Sequence, residues 1–226
     1  MSERAELEAL LTAAAVEVQW IEPLAQYAAM VLEANRQFNL TGAKTAADFA
    51  PQVIDSLSIV PYLRGRLVDI GSGAGLPAIP AAIASGISFT LVETTIKKAR
   101  FLERAIETFG LDGEVIANRA EVAAHDERLR GGFQSGTARA VSSAPTVAEL
   151  LLPFLAPGGV AVLQRGVMDE RESNALADAS LMLGGRVERA IPLEGGRQII
   201  LVQKEAETQM RFPRRIGVPE KRPLCL

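Results

Sequence analysis

The chain has 226 residues, 48% of them hydrophobic and 23% charged, with a formal net charge of −3. This composition excludes a disordered, collagen-like or disulfide-stapled chain and leaves enough length for a sizeable core in one large domain, or one domain with an appendage. One cysteine, Cys225, and one histidine, His125, exclude an internal disulfide and speak against a metal centre built on such ligands, and the short apolar runs and acidic start MSERAELEALL predict a soluble cytoplasmic protein without membrane span or signal peptide.

Leu7, Leu10, Leu11, Ala14 and Val18 recur at helical spacing within residues 3–19. Pro23 suits the first turn of a second helix running to about Phe38. Asn39-Leu40-Thr41-Gly42 is a break, and a third helix is expected over 47–62. The periodicity then changes. Strands are expected at Leu67–Ile70, Phe89–Glu93, Glu114–Ala117, Thr137–Val141, Gly159–Gln164, Val187–Ile191 and Gln198–Gln203, and helices at Leu76–Ala84, Ile96–Phe109, Pro145–Leu155 and Met168–Leu183. Strands separated by helices imply right-handed crossovers and a parallel sheet, whereas the short turn Pro192–Arg197 fits an antiparallel hairpin. The expected fold is α/β and Rossmann-like: a mostly parallel seven-stranded sheet with an antiparallel C-terminal hairpin, preceded by an N-terminal helical region. The corresponding division is 1–62 (helical), 63–208 (cofactor-binding) and 209–226 (a basic tail).

The segment Leu67–Pro77, LVDIGSGAGLP, runs from an apolar strand through Gly71, Ser72, Gly73 and Gly75 into a helix. Glycines serve where the backbone turns sharply and approaches a ligand. The sixth position of a nicotinamide-type fingerprint is Leu76 rather than glycine, and no phosphate loop is present. Asp69 two residues before Gly71, followed by alternate glycines, looks like the D/E-x-G-x-G-x-G loop of S-adenosylmethionine-dependent methyltransferases. There the acid can serve the cationic amino end of the methionine moiety. Glu93 stands 22 residues after Gly71, at the end of the next strand, where a carboxylate can accept two hydrogen bonds from a ribose diol.

On NRQFNLTG (35–42), VIDSL (53–57), VDIGSGAGLPAIP (68–80), KKARFLERA (97–105), NRAE (118–121), ARAVSS (138–143) and LAPGG (155–159), the chain resembles the bacterial GidB/RsmG family. The resemblance implies a class I methyltransferase fold and transfer of a methyl group to the 7-nitrogen of a guanine in 16S rRNA, within the small ribosomal subunit or its precursor. It implies a cofactor site of Gly71, Gly73, Leu76, Glu93, Ala120, Glu121 and Arg139, the last two otherwise readable as part of a surface ion-pair cluster with Arg119. Arg139 and Arg165 would orient cofactor and RNA. Two positions depart from the family pattern: Gln52 where a His is common, and Arg165 where a Lys is. A small-molecule methyltransferase on the same fold is the alternative. A monomer is expected.

Guanine N7 carries a lone pair and no proton, so its methylation needs no general base. That accords with His125 and Cys225 both lying outside the motifs. The basic candidates for RNA are Lys97, Lys98, Arg100 and Arg104 on one helix, Arg165, and Arg211, Arg214, Arg215, Lys221 and Arg222. Residues 211–226 hold five basic and one acidic side chain, which reads as a solvated tail or an arm that docks on the particle.

Overall fold

The computed structural model describes residues 2–139 and 142–226. Its sheet is built of β1 (Leu67–Ile70), β2 (Phe89–Val92), β3 (Gly113–Ile116), β4 (Phe133–Ala138), β5 (Leu155–Arg165), β6 (Gly185–Leu193) and β7 (Arg197–Lys204). The spatial order is β3-β2-β1-β4-β5-β7-β6. β1 to β5 pair in parallel, and β7 lies antiparallel between β5 and β6. The mixed sheet with a C-terminal hairpin is the arrangement expected from the sequence. Strand order reverses where β1 meets both β2 and β4, and in such sheets ligands bind in the crevice beyond the strands' carboxyl ends.

Alternate residues of the central strands face opposite layers. Leu67, Phe89 and Leu91 pack with α1 (Glu3–Ala13), α2 (Val18–Asn35), α3 (Ala46–Leu57), α4 (Ala78–Ser85) and α5 (Ile96–Thr108). Val68, Ile70 and Val92 pack with α6 (Ala120–Ala123), α7 (Ala144–Leu151) and α8 (Glu170–Met182). The N-terminal helices therefore share one continuous apolar cluster with the sheet.

Several boundaries differ from the sequence expectation. The first helix stops at Ala13, and the chain turns through Ala15 at φ 55°. Val18, placed above on the apolar face of that helix, begins α2 and is 85% exposed. Pro23 lies in the second turn of α2, not the first; buried Leu24, Tyr27, Ala28 and Val31 supply packing that outweighs the lost amide donor. α3 ends at Leu57, five residues early, after a reciprocal Thr45–Asp48 capping box has fixed its start. β4 begins at Phe133, four residues before the expected Thr137, because pairing with β1 and β5 stabilises a segment whose Gln134 and Gly136 argue against a strand. Val141, the expected end of that strand, lies with Ala140 outside the described residues.

The Asn35–Gly42 motif has a backbone role. Asn35 Oδ1 accepts from the amides of Leu40 (2.8 Å) and Thr41 (3.0 Å), and its Nδ2 donates to the Ala43 carbonyl (2.8 Å). One side chain thus sets the path from α2 to α3.

The tail is not solvated. Phe212, Pro219 and Leu224 are buried, a short helix α9 forms at Val218–Lys221, and the segment lies against α6 and α7. Of the five basic residues that suggested a free arm, Arg214 is committed to buried Glu149, while Arg211, Arg215, Lys221 and Arg222 are exposed.

Candidate functional site

The glycine loop leaves β1 at Ile70 with its turn tied to β2: the Gly71 amide donates to the Val92 carbonyl at 2.8 Å. Gly71 and Gly73 have φ of 69° and 56°, a region closed to most side chains. Beyond Gly73 there is open space, with the Gly71 carbonyl at 3.8 Å the nearest group to a Cβ placed there. Gly75 is different. A Cβ there would collide with the side chains of Ile79 and Leu102, so this glycine answers to packing of the loop on α4 and α5. Leu76 is buried, and Ser72 Oγ donates to the Asp69 carbonyl at 3.0 Å.

Asp69 is fully buried, and neither carboxylate oxygen has a hydrogen-bond partner among the described residues. Burial pushes its carboxyl well above the usual range; the nearby Ser72 hydroxyl, whose hydrogen bond goes to the Asp69 backbone carbonyl, opposes this, the negative charge of Glu93 adds to it, and Arg139 opposes it. A buried unpartnered carboxylate is costly. The ammonium of a methionine moiety is the chemistry that would complete it, so these residues fit S-adenosylmethionine.

Glu93, 5% exposed, bridges the loop and the next helix: Oε2 accepts from the Gly73 amide (2.9 Å) and Oε1 from the Thr95 amide (2.8 Å). Oε1 also accepts a long hydrogen bond from the Thr94 hydroxyl (3.5 Å), so of the about four lone-pair sites a carboxylate offers, one stays open to a diol hydroxyl. A cavity of about 220 Å³ opens beside it, lined by Gly71, Val92, Ala120, Glu121, Thr146 and Glu220 among others. Ala120 and Glu121 are thus brought to the same cavity as the glycine loop, although the structure spends Glu121 Oε1 on the Gly217 amide at 2.9 Å.

Arg139 and Arg165 line a separate cleft of about 340 Å³, with Asp55, Gln164, Met168 and Arg197. Arg139 donates to the carbonyl (3.1 Å) and Oε1 (3.0 Å) of Gln52, and Asp55 lies at 3.8 Å. Gln52, the departure from the family pattern, therefore holds Arg139 by an acceptor and needs no titrating ring. Burial lowers the Arg139 pKa, with Asp55 opposing it; arginine stays protonated in proteins. Arg165 donates to the Ser142 carbonyl (2.6 Å) and to Glu172 (2.8 Å), and Glu172 also accepts from the Ala144 amide (2.8 Å). On α5, Lys97, Arg100 and Arg104 share an exposed face, as expected from their spacing.

Sequence reasoning missed Tyr27, whose buried hydroxyl donates to the Ala74 carbonyl at 2.9 Å and pins the glycine loop from the N-terminal region. Asp55 and Arg197, paired at the cleft, were also missed, as was Glu220. A single polar group on an apolar helix face was the only signal for Tyr27.

The family model of the GidB rRNA small subunit methyltransferase G matches residues 20–200. The chain belongs to this family. Proteins named ribosomal RNA small subunit methyltransferase G are similar over most of their length: that of Deinococcus deserti is 38% identical over 216 residues, covering 89% of this chain and 88% of its own. That of Rubrobacter xylanophilus is 37% identical over 211 residues, covering 87% and 81%. Among solved structures, the fold is shared with a T. thermophilus 16S rRNA N2 methyltransferase bound to AdoMet and guanosine (TM-score 0.50, 19% identity, 70% of this chain and 40% of that one). It is also shared with a Thermus thermophilus branched-chain polyamine synthase bound to 5′-methylthioadenosine (TM-score 0.56, 13% identity, 71% and 57%). The chain is thus a member of a methyltransferase family on a class I fold, and among the described residues no helix is long and apolar enough to cross a membrane.

Proposed function

We propose that this GidB-family chain transfers a methyl group from S-adenosylmethionine to the N7 of a guanine in 16S rRNA, in the small ribosomal subunit or its precursor. The observation that carries the cofactor assignment is Asp69: a fully buried carboxylate with both oxygens unpartnered among the described residues, at the foot of the glycine loop. In this scheme Asp69 takes the methionine ammonium, Glu93 the ribose diol, and Ala120 with Glu121 the adenine side. Gly71 and Gly73 let the backbone come close, while Gly75 and Leu76 hold the loop's shape.

S-adenosylmethionine supplies an activated methyl group. Its transfer is an in-line displacement that asks for the acceptor nitrogen about 3 Å from the methyl carbon, opposite the sulfur. The N7 lone pair is free at neutral pH, so the chain's task is positioning. Arg139 and Arg165, held by Gln52, Ser142 and Glu172, keep two fixed cations at the 340 Å³ cleft, on the acceptor side. There a guanidinium can donate to the O6 of a guanine, leaving the N7 lone pair free, or pair with a phosphate. The exposed face of Lys97, Arg100 and Arg104 supplies further phosphate contacts. A cytoplasmic site of action fits the rRNA substrate, and a monomer is proposed with it.

Mass spectrometry of small-subunit rRNA from cells with and without the protein tests this. The expected result is one guanine that loses a single methyl group in the deletion strain and regains it when purified protein and S-adenosylmethionine are added to the subunits. Unchanged rRNA, with turnover on a small acceptor instead, would assign the small-molecule alternative.

A further inference from the structure

The C-terminal segment is bolted to the body at five places. The Arg130 guanidinium donates to the carbonyls of Thr208 (2.8 Å), Gln209 (3.1 Å) and Phe212 (3.0 Å). His125 Nε2–H donates to the Pro213 carbonyl at 3.0 Å. Arg214 grips Glu149, a fully buried carboxylate, through its guanidinium (2.6 and 2.8 Å) and its own amide (2.8 Å). Further on, the Gly217 amide donates to Glu121, and Thr146 Oγ1 donates to the Pro219 carbonyl at 3.0 Å. The last two contacts matter most, because Glu121 and Thr146 line the 220 Å³ cavity beside the glycine loop, and so does Glu220 of the tail itself.

We propose that the docked tail closes the outer side of the cofactor cavity through Glu220, which stands at its adenine side, so that affinity for S-adenosylmethionine depends on the docked tail. This rests on the assignment of that cavity to the adenosyl group made above. The inner walls come from the ends of β1 and β2 and from α6 and α7. The tail adds Glu220 to this lining. Glu220 is a carboxylate on an otherwise basic segment, and an exocyclic amine such as that of adenine presents donors that need acceptors. The tail is also held independently of any ligand: releasing it would leave Glu149 buried without its charged partner. The basic composition that suggests RNA docking thus has another use for at least Arg214. Arg211, Arg215, Lys221 and Arg222 are exposed and can meet phosphate.

The test uses S-adenosylhomocysteine and the full-length protein. Calorimetry on Glu220→Ala is expected to show about tenfold weaker binding, the equivalent of one hydrogen bond to a charged acceptor, with Glu220→Gln recovering most of it. Amide exchange over residues 213–221 is expected to slow when the ligand saturates the wild-type chain, a readout independent of whether any variant folds. Affinity within twofold of wild type in Glu220→Ala, together with unchanged exchange in the tail, overturns the proposal. Gly73→Val separates the two levels. If it abolishes binding while the tail remains indifferent, the cavity is the cofactor site and only its outer wall is wrong. If it too binds normally, the cavity assignment itself falls.

Discussion

Replacing Asp69 with Asn should move stability and affinity in opposite directions. The substitution keeps the shape and removes the charge. In the ligand-free protein the carboxylate is buried without partners, and its carboxyl is pushed up by burial first and by Glu93 second. The native state therefore holds a proton that the unfolded chain releases at a pKa of about 3.9. Between that value and the raised native one the unfolded state binds fewer protons, so stability falls as pH rises across the window. Asn removes this loss. An unsatisfied buried polar group costs about 1–3 kcal/mol, and the new amide retains part of that cost, so a net gain of about 1 kcal/mol is expected at neutral pH. For a chain of this size that is about 2–4 °C in Tm. Binding goes the other way. The lost ammonium–carboxylate contact is worth about 1.5–3 kcal/mol, an affinity roughly 10- to 150-fold weaker for S-adenosylmethionine. Thermal melts without ligand and calorimetry with S-adenosylhomocysteine read both signs. A variant that melts lower and binds as tightly as wild type would refute the reasoning, since Asp69 would then be a structural anchor whose partners belong to the protein.

Arg214→Met strands the buried carboxylate of Glu149 and should cost about 3–5 kcal/mol in chemical denaturation, most of it recovered in the Arg214→Met/Glu149→Met pair. Tyr27→Phe removes the donor to Ala74 with little change of volume; about 1 kcal/mol of stability and up to about fivefold in S-adenosylhomocysteine affinity should be lost, and unchanged affinity would show that the glycine loop keeps its shape unaided. Burial pushes Lys204 down to about 8, where its ammonium meets the Leu183 carbonyl at 2.7 Å and the Thr208 hydroxyl. The unfolded chain binds more protons between about 8 and its ordinary value, so stability should rise with pH across that window; urea melts from pH 7.5 to 10 should show the rise in wild type and a flat profile in Lys204→Met, whose Leu183 carbonyl keeps the Thr208 donor.

The sequence alone determined the elements whose signals are local. β1 was legible to the residue, because four apolar or turn-bounded positions stand between a loop and a run of glycines. α5 was legible to within one residue, since apolar residues recur on one face and lysines and arginines on the other, and the hairpin was legible as an antiparallel pair, though its strands run longer than expected around Gly195 and Gly196 at φ of 72° and 71°. The spacing of Asp69, the glycines and Glu93 also sufficed to place a candidate cofactor loop, because these groups act through short backbone geometry. Tertiary structure decided everything that joins distant residues. Tyr27 reaches Ala74 across 47 positions and Arg139 reaches Gln52 across 87, and neither pairing leaves a periodic trace. The tail shows the difference most plainly. Its arginines read as a solvated tail or a docking arm, since charge is favoured in water or against phosphate. Yet Glu149, surrounded by the apolar face of α7, had to find a cation, and only the folded chain brings Arg214 to it and Glu220 to the cavity beyond.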